Sequence, residues 1–281
     1  MIVLSVSAAG IFVQNANAQL VSSWSAPNVD DGNPVSRANS WLTDVVTGAF
    51  VELDSLAGAQ ALAADNSLGL LYSSTGQSLS VHAVDENLQL VPLSIGVRIR
   101  NTSGVSAEPG QVGGMGCADG VLYASVAQSS RDAKRKRGIE AGLYVIDPVT
   151  AIATRVRTSL QIPNFNGMDY NSDDGLMYGV AALNGSQKIV RFDLNTFTVT
   201  TLAEVPAKTP DGRSTTFDGL AVGDGKVYLT HGVNSLYADI PILVFDLASG
   251  VFEAGLPTPP RTAENSLYRG GATYFPALFP L

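Results

Sequence analysis

The chain has 281 residues, 45% hydrophobic and 15% charged, so it can bury the core of one large or two small domains and is not intrinsically disordered. Its net charge of −8 argues against a nucleic acid as partner, because an acidic surface repels phosphate backbones. Cys117 is the only cysteine, which excludes an intrachain disulfide, and its apolar sequence neighbours predict a small buried residue rather than a nucleophile.

The first residues have the features of an export signal. Residues 2–13 form an apolar run that is too short to span a bilayer, and Ala16-Asn17-Ala18 before Gln19 matches a small-x-small cleavage site. No Lys or Arg precedes the run, and the alternative is a buried first strand. We predict a signal peptide over residues 1–18 and a single domain over 19–281, secreted or periplasmic and without an integral membrane segment.

One register recurs through almost the whole chain. Five segments read apolar, variable, small, apolar, and their variable residues are separated by 53, 53, 52 and 51 positions. A turn-rich period of this length predicts a β-propeller or another repeat array. The five variable residues should therefore be equivalent in space. These residues are Gln60, Gly113, Asn166, Asp218 and Arg269.

Two hairpins follow each small-apolar stretch. In the first, a tyrosine comes three residues after the turn glycine, and equal spacing predicts a shared packing layer between neighbouring units. In the second, an Asp ends an apolar strand, and we predict that its side chain binds the turn backbone rather than acting in catalysis. The tyrosines are Tyr72, Tyr123, Tyr178 and Tyr228, and the Asp residues are Asp44, Asp85, Asp147, Asp193 and Asp246.

Each unit thus has four strands, a to d, as in one propeller blade. The end of the chain supplies only a strand a, residues 271–275, and its beginning supplies strands b, c and d between residues 21 and 56. Joining them would close an all-β propeller of five blades and protect its edge strands. Six blades are possible if the interval from Asp85 to Asp147 contains further strands, but residues 98–111 favour a loop.

The Asp-Gly-x-x-Tyr and apolar-Asp-x-x-Thr/Ser-Gly hairpins resemble those of secreted YVTN-type, NHL-type and gluconolactonase-like propellers. The resemblance covers nearly the whole mature chain and implies architecture more than function. In calcium-dependent lactonases of the gluconolactonase type, Asn-Gly and Asp-Gly pairs at the starts of inner strands hold a metal. Asn166-Gly167 and Asp218-Gly219 look similar, which implies a calcium site. The family's Glu and second Asn are replaced by Gln60 and Gly113.

The start of strand a should lie at the face that carries the d–a and b–c loops, which we call the channel mouth. The varied chemistry of the variable residues there predicts a site for a small polar ligand or an ion, formed by Gln60, Asn166, Asp218 and Arg269. The alternative is an Asp218–Arg269 ion pair that plugs the channel, with Asn166 hydrogen-bonded beside it.

Three other features have weaker functional interpretations. Residues 169–175 resemble a calcium loop but lack its glycine and its later Glu, so they predict a turn. His82 on a strand c and His231 at the end of a strand b are not equivalent, which argues against a shared metal site. For His231 we predict an exposed loop, and the alternative is a position at the channel mouth.

The basic run over residues 131–137 lies in a long b–c loop. We predict a solvated loop; the alternative is contact with an anionic surface such as lipopolysaccharide or acidic polysaccharide. The leading function is a non-catalytic binding or interaction module for a protein, a polysaccharide or a small polar ligand. The alternatives are a calcium-dependent lactonase and a structural component of an envelope or extracellular assembly.

Overall fold

The computed structural model describes residues 19–25, 37–57, 60–85, 89–108, 111–128, 130–135, 137–208, 212, 215–231, 241–258 and 271–275. The predicted signal peptide lies outside these residues. Within this part of the chain the fold is almost entirely β, and no helix is long and apolar enough to cross a bilayer.

The strands are short and follow one another closely, as expected for a turn-rich repeat. In chain order the elements are β1 (Gln19–Ser25), β2 (Arg37–Asp44), β3 (Phe50–Ala57), β4 (Ala61–Asp65), β5 (Leu70–Ser74), β6 (Ser78–Val84), β7 (Leu90–Arg98), β8 (Arg100–Asn101), β9 (Val112–Ala118), β10 (Val121–Val126), α1 (Ser130–Arg135), β11 (Gly142–Ile146), β12 (Ile152–Thr158), β13 (Gly167–Asn171), β14 (Leu176–Leu183), β15 (Ser186–Phe192), β16 (Val199–Glu204), β17 (Phe217–Gly223), β18 (Lys226–His231), β19 (Leu243–Asp246), β20 (Val251–Phe252) and β21 (Ala272–Phe275).

Both ends of the described chain contribute to one antiparallel sheet. Strand β1 pairs with β2 on one side and with β21 on the other, and β3 completes the order β21-β1-β2-β3. In this register Gln19 lies opposite Phe275. The pairing of the C-terminal strand with the N-terminal strands is therefore confirmed. We call this sheet the terminal meander.

The remaining strands form four more antiparallel meanders of four strands: β4–β7, β9–β12, β13–β16 and β17–β20. The second and third of these join into one nine-stranded sheet, because Met168 of β13 pairs with Met115 of β9. Residues 98–111, predicted to be loop, also contain β8, which pairs in parallel with β12 at the outer edge of that sheet. This is a small correction to the prediction.

The repeated Asp residues organise the c–d turns, as predicted. The Oδ1 atom of Asp44 accepts hydrogen bonds from the amides of Val46 and Thr47 at 2.9 and 2.8 Å. Side-chain and backbone hydrogen bonds within the turn lower the pKa of the carboxyl groups of Asp147, Asp193 and Asp246. The same type of contact forms at Asp85, Asp147, Asp193 and Asp246.

The tyrosines of the a–b hairpins share one structural position, which confirms their predicted packing role. Each packs against the following meander: Tyr72, for example, lies in a buried cluster with Met115 and Cys117. Tyr228 stacks on Tyr274 of the terminal meander with ring centroids 6.1 Å apart. In the strand register they pair with Ala63, Gly116, Asp169 and Ala221 of the inner strands.

The five inner strands β4, β9, β13, β17 and β21 contact one another in turn, and β21 also contacts β4. Small residues allow this approach. A Cβ atom on Gly167 would lie 2.4 Å from the amide nitrogen of Leu220, and one on Gly271 would lie 2.7 Å from that of Leu62. Gly271 therefore occupies the small position of the fifth copy, one residue later than the sequence register predicted. The arrangement is that of an all-β propeller.

Candidate functional site

Asn166 and Asp218 lie directly beside each other at the starts of neighbouring inner strands. Asn166 precedes β13, and its backbone amide donates to the backbone carbonyl of Val180 at 2.9 Å. Asp218 lies at an irregularity of β17, where the pairing with β18 shifts between Phe217 and Gly219. The Nδ2 atom of Asn166 donates to Oδ1 of Asp218 at 3.2 Å, and the pair is partly buried. The structure thus joins two of the predicted site residues.

Phe165 precedes Asn166, and Phe217 precedes Asp218. The backbone of each phenylalanine is bound by a side chain from the meander before its own. The amide of Phe165 donates to Ser125 Oγ at 2.7 Å. Gln187 binds both polar backbone groups of Phe217: its Nε2 atom donates to the carbonyl at 2.7 Å, and its Oε1 atom accepts from the amide at 2.9 Å. These contacts position Asn166 and Asp218, and the sequence register did not predict them.

We expect Gln187→Ala to lower the free energy of unfolding by about 1–3 kcal/mol, because it leaves the amide and carbonyl of Phe217 without this partner. Urea unfolding followed by circular dichroism measures the change. Gln161→Ala is the matched control, since that exposed side chain accepts only local bonds from Thr158. Equal effects of the two substitutions would contradict the positioning role.

The other predicted site residues differ in what the structure shows. Gln60 is partly buried just before β4, and its backbone amide donates to the backbone carbonyl of Ser74 at 2.9 Å. Gly113 cannot be replaced by a ligating side chain, because a Cβ atom there would lie 2.7 Å from the carbonyl oxygen of Phe165. Arg269 lies outside the described residues.

Asn164 is a further polar residue near the start of β13 that the register did not single out. It lies two positions before Asn166 in the connection from β12 to β13, on the channel-mouth face. Its side-chain oxygen is buried and has no hydrogen-bond partner among the described residues. Because a buried oxygen without a partner is costly, this atom is a candidate acceptor for a ligand or an ordered water molecule.

The histidines are buried. His231 ends β18 with 1% of its surface exposed and lies against Phe217, with ring centroids 5.2 Å apart. The prediction of an exposed loop was therefore wrong, since the pairing of β18 with β17 extends to this residue. His82 is buried on β6, and burial lowers the pKa of its imidazole. Cys117 is buried as predicted, and burial raises the pKa of its thiol to about 12.

The donors at the mouth fit a calcium ion poorly. Calcium is held by six to eight oxygen atoms, several of them from carboxylates. Here Asp218 is the one carboxylate among the described variable residues, Asn166 directs its amide nitrogen at it, and Gly113 has no side chain. Within the described part of the chain, no three His, Cys, Asp or Glu side chains form a metal-sized cluster.

The calcium-like segment over residues 169–175 divides into two parts. From Asn171 onward it is a turn, as predicted: the Oδ1 atom of Asn171 accepts from the amide of Asp173 at 3.2 Å, and Gly175 has a φ of 71°. Asp169 does not belong to this turn. Its side chain is directed toward the neighbouring inner strands β17 and β21.

Asp169 connects three inner strands through its carboxylate. Its Oδ2 atom accepts from the amides of Val222 on β17 and Tyr274 on β21, at 3.1 and 3.0 Å. Its Oδ1 atom accepts from the hydroxyl of Thr273 at 3.0 Å, and that hydroxyl in turn accepts from the amide of Ala64 on β4 at 3.1 Å. One carboxylate and one hydroxyl thus connect four inner strands, β4, β13, β17 and β21.

The environment of Asp169 changes its titration. The side chain is 3% exposed, and burial raises its pKa to about 7. The amides of Val222 and Tyr274 and the hydroxyl of Thr273 oppose this shift, because they stabilise the ionised form. The equivalent inner positions on the other strands are Ala63, Gly116, Ala221 and Thr273, so Asp169 is the one ionisable group in this layer.

Comparisons with known proteins bear on the fold and the family. No curated protein sequence matches the chain. TolB from Acinetobacter baumannii superposes with a TM-score of 0.45 at 13% identity, over 89% of this chain and 54% of that one, so this chain spans about half of the TolB chain. A chain from a nidogen/laminin complex superposes with a TM-score of 0.48 at 11% identity, over 91% of this chain and 98% of that one. A protein from Lactobacillus plantarum superposes with a TM-score of 0.44 at 10% identity, over 92% of this chain and 99% of that one.

A sequence model of one family accounts for most of the chain. It describes the SMP-30/Gluconolactonase/LRE-like region and matches residues 36–238, which include the Asn166–Asp218 pair, three of the five meanders in full and two strands of each of the other two. Because the match covers well over half of the 281 residues, the chain belongs to the SMP-30/gluconolactonase/LRE-like family.

Proposed function

We propose that this propeller is a binding module that takes a small polar ligand or an ion at its channel mouth. The observation that carries the proposal is the contact of Asn166 with Asp218 at 3.2 Å, between equivalent positions of successive units. The partly buried Gln60 and the buried oxygen of Asn164 add further hydrogen-bonding groups on the same face. A few convergent polar groups at one face are typical of small-molecule binding sites.

We also propose that the five meanders are five blades closed by both chain ends. Three observations support this: β21 pairs with β1, β21 lies between β17 and β4, and buried clusters lie between successive meanders. Such a ring would hold the starts of its inner strands rigidly, which favours a preorganised site. Location in the periplasm or outside the cell is part of the proposal and rests on the sequence of residues 1–18 alone.

A thermal-shift screen tests the ligand site. We expect at least one member of a panel of monosaccharides, sugar acids, their lactones and divalent cations to stabilise the protein by about 2.7 kcal/mol at a hundredfold excess over its Kd. Asp218→Ala should abolish this shift. The control is Asp173→Ala, which removes an exposed carboxylate from an a–b turn at the opposite face. Equal stabilisation of both variants by every panel member would refute the site.

A calcium-dependent lactonase is the second candidate on the family match alone, since the contact of the Asn166 side-chain nitrogen with Asp218 does not favour a cation. In that case the protein should open an aldonolactone in a pH-stat assay, and EDTA or Asp218→Asn should remove the activity. Ligand stabilisation without turnover in saturating calcium favours the binding module. Calcium-dependent turnover that Asp218→Asn abolishes favours the enzyme.

A further inference from the structure

A second concave surface lies on the β9–β12 meander, separate from the Asn166–Asp218 pair. It is a groove with a volume of about 670 Å³. One wall is the turn after β8, and the other is the b–c connection that contains α1. The predicted solvated loop thus includes a short helix and borders a groove. Its lining includes Asn101, Thr102, Ser103, Gln128, Tyr144 and Arg155.

A buried glutamine holds the two walls together. The Oε1 atom of Gln111 accepts from the amides of Glu108 and Ile139 at 2.8 and 3.1 Å, and its Nε2 atom donates to the carbonyl of Ile139 at 3.0 Å. Gln128 adds a bond from its Nε2 atom to the carbonyl of Arg137 at 2.9 Å. Because these contacts lie within the chain itself, they preorganise the groove.

The groove lies in the basic part of an acidic protein. Residues 98–157 contain nine Lys and Arg residues and five Asp and Glu residues, a net charge of +4. The rest of the chain contains eight Lys and Arg residues and twenty Asp and Glu residues, a net charge of −12. Lys134, Arg135 and Arg137 are exposed on one wall, and Arg100 is exposed beside the other. Arg155 within the lining forms an ion pair with Glu140. A charge separation of this kind favours an anionic partner.

The lining distinguishes between anionic polymers. Amide and hydroxyl side chains at Asn101, Thr102, Ser103 and Gln128 suit the hydroxyl groups of a sugar. Single-stranded nucleic acids bind through exposed aromatic rings, but Tyr144 is buried and donates its hydroxyl to the carbonyl of Glu140 at 2.8 Å. The remaining net charge of −12 would also repel a dense row of phosphates.

We propose that this groove binds an acidic polysaccharide, a polymer in which hydroxyl groups alternate with spaced carboxylates or sulfates. The basic walls attract the charged groups, and the neutral lining binds the hydroxyls. The site does not depend on the channel mouth, so Asp218→Ala should leave it intact.

Isothermal titration with oligogalacturonate, a short uronic acid polymer, tests the proposal. We expect binding that weakens with added salt and that Lys134→Glu with Arg135→Glu weakens roughly tenfold. The matched control, Lys188→Glu with Lys208→Glu, makes the same change in net charge on another meander and should weaken binding by less than about twofold. Thr102→Trp fills the groove without changing charge and should also weaken binding.

Three results would overturn the proposal. Equal weakening by the two charge-reversed variants would mean that net charge alone drives binding. Equal affinity for an uncharged maltooligosaccharide would remove the role of the cations. Tighter binding of a short single-stranded DNA would assign the groove to nucleic acid. Melting temperatures of all variants, whose substituted side chains are on the surface, verify that they fold.

Discussion

At about pH 4, where Asp169 contributes most to stability, the Asp169→Ala variant is expected to melt roughly 10 °C below the parent protein, which corresponds to a loss of about 4 kcal/mol in the free energy of unfolding. The substitution removes the acceptor of the amides of Val222 and Tyr274 and of the hydroxyl of Thr273, all of them buried on inner strands. Buried donors that lose their acceptor cost about 1–3 kcal/mol each. Thermal unfolding followed by circular dichroism measures the effect.

Asp169→Asn separates hydrogen bonding from charge. The amide keeps one oxygen that can accept from both Val222 and Tyr274, and its nitrogen can donate to the hydroxyl of Thr273, so we expect a smaller loss than with alanine. If the two variants were equally destabilised, the acceptor role of Asp169 would be contradicted.

The pH dependence of stability should differ between Asp169 and its asparagine variant. A folded-state pKa of about 7 lies above the unfolded value, so the folded protein binds the proton more tightly. The contribution of Asp169 is therefore greatest below about pH 4 and is lost as the pH rises toward 7. We expect the stability of the parent, relative to Asp169→Asn, to fall by roughly 4 kcal/mol over this range. A constant difference across the range would show that Asp169 stays ionised.

Gly167→Ala is expected to lower the free energy of unfolding by roughly 3–5 kcal/mol. The new Cβ atom would lie 2.4 Å from the amide nitrogen of Leu220 and 2.7 Å from the carbonyl oxygen of Asp218, so two inner strands must separate. Since Asp218 belongs to the displaced strand, the variant should also lose any ligand-induced thermal shift. Urea unfolding and the ligand screen measure the two effects.

Gly225→Asn is the control for the loss of a glycine. Gly225 has a φ of 68° in an a–b turn, and no heavy atom lies within 4 Å of a Cβ built there. Asparagine tolerates this left-handed conformation, so we expect a cost below about 1 kcal/mol. A similar loss in Gly167→Ala and Gly225→Asn would mean that the close approach of the inner strands does not limit stability.

Much of the fold was predictable because its signals are local. The c–d turn is determined by an Asp such as Asp44, whose carboxylate binds amides two and three residues ahead. The a–b hairpin is determined by turn residues such as Asp119 and Gly120, which both have positive φ, and by a tyrosine at fixed spacing. Repetition of these short patterns predicted four-stranded units and the pairing of the two chain ends.

The candidate site was predictable only in part. The spacing of the variable residues predicted that Asn166 and Asp218 would be near each other, and their side chains do make contact. The register could not find Gln187, which holds Phe217 from thirty residues away, because a glutamine in a strand has no distinctive local pattern. Nor did it place Gly271 correctly, since that glycine is identified by its contact with Leu62.

The strand pattern, the turns and the repeat follow from the order of the amino acids, because each depends on residues a few positions apart. The location of Asp169 depends instead on the assembled fold. Its position in a calcium-like segment suggested a loop, yet its partners Val222 and Tyr274 are 53 and 105 residues away. A buried carboxylate is stable only where donors converge on it, and that convergence exists only after the inner strands have assembled.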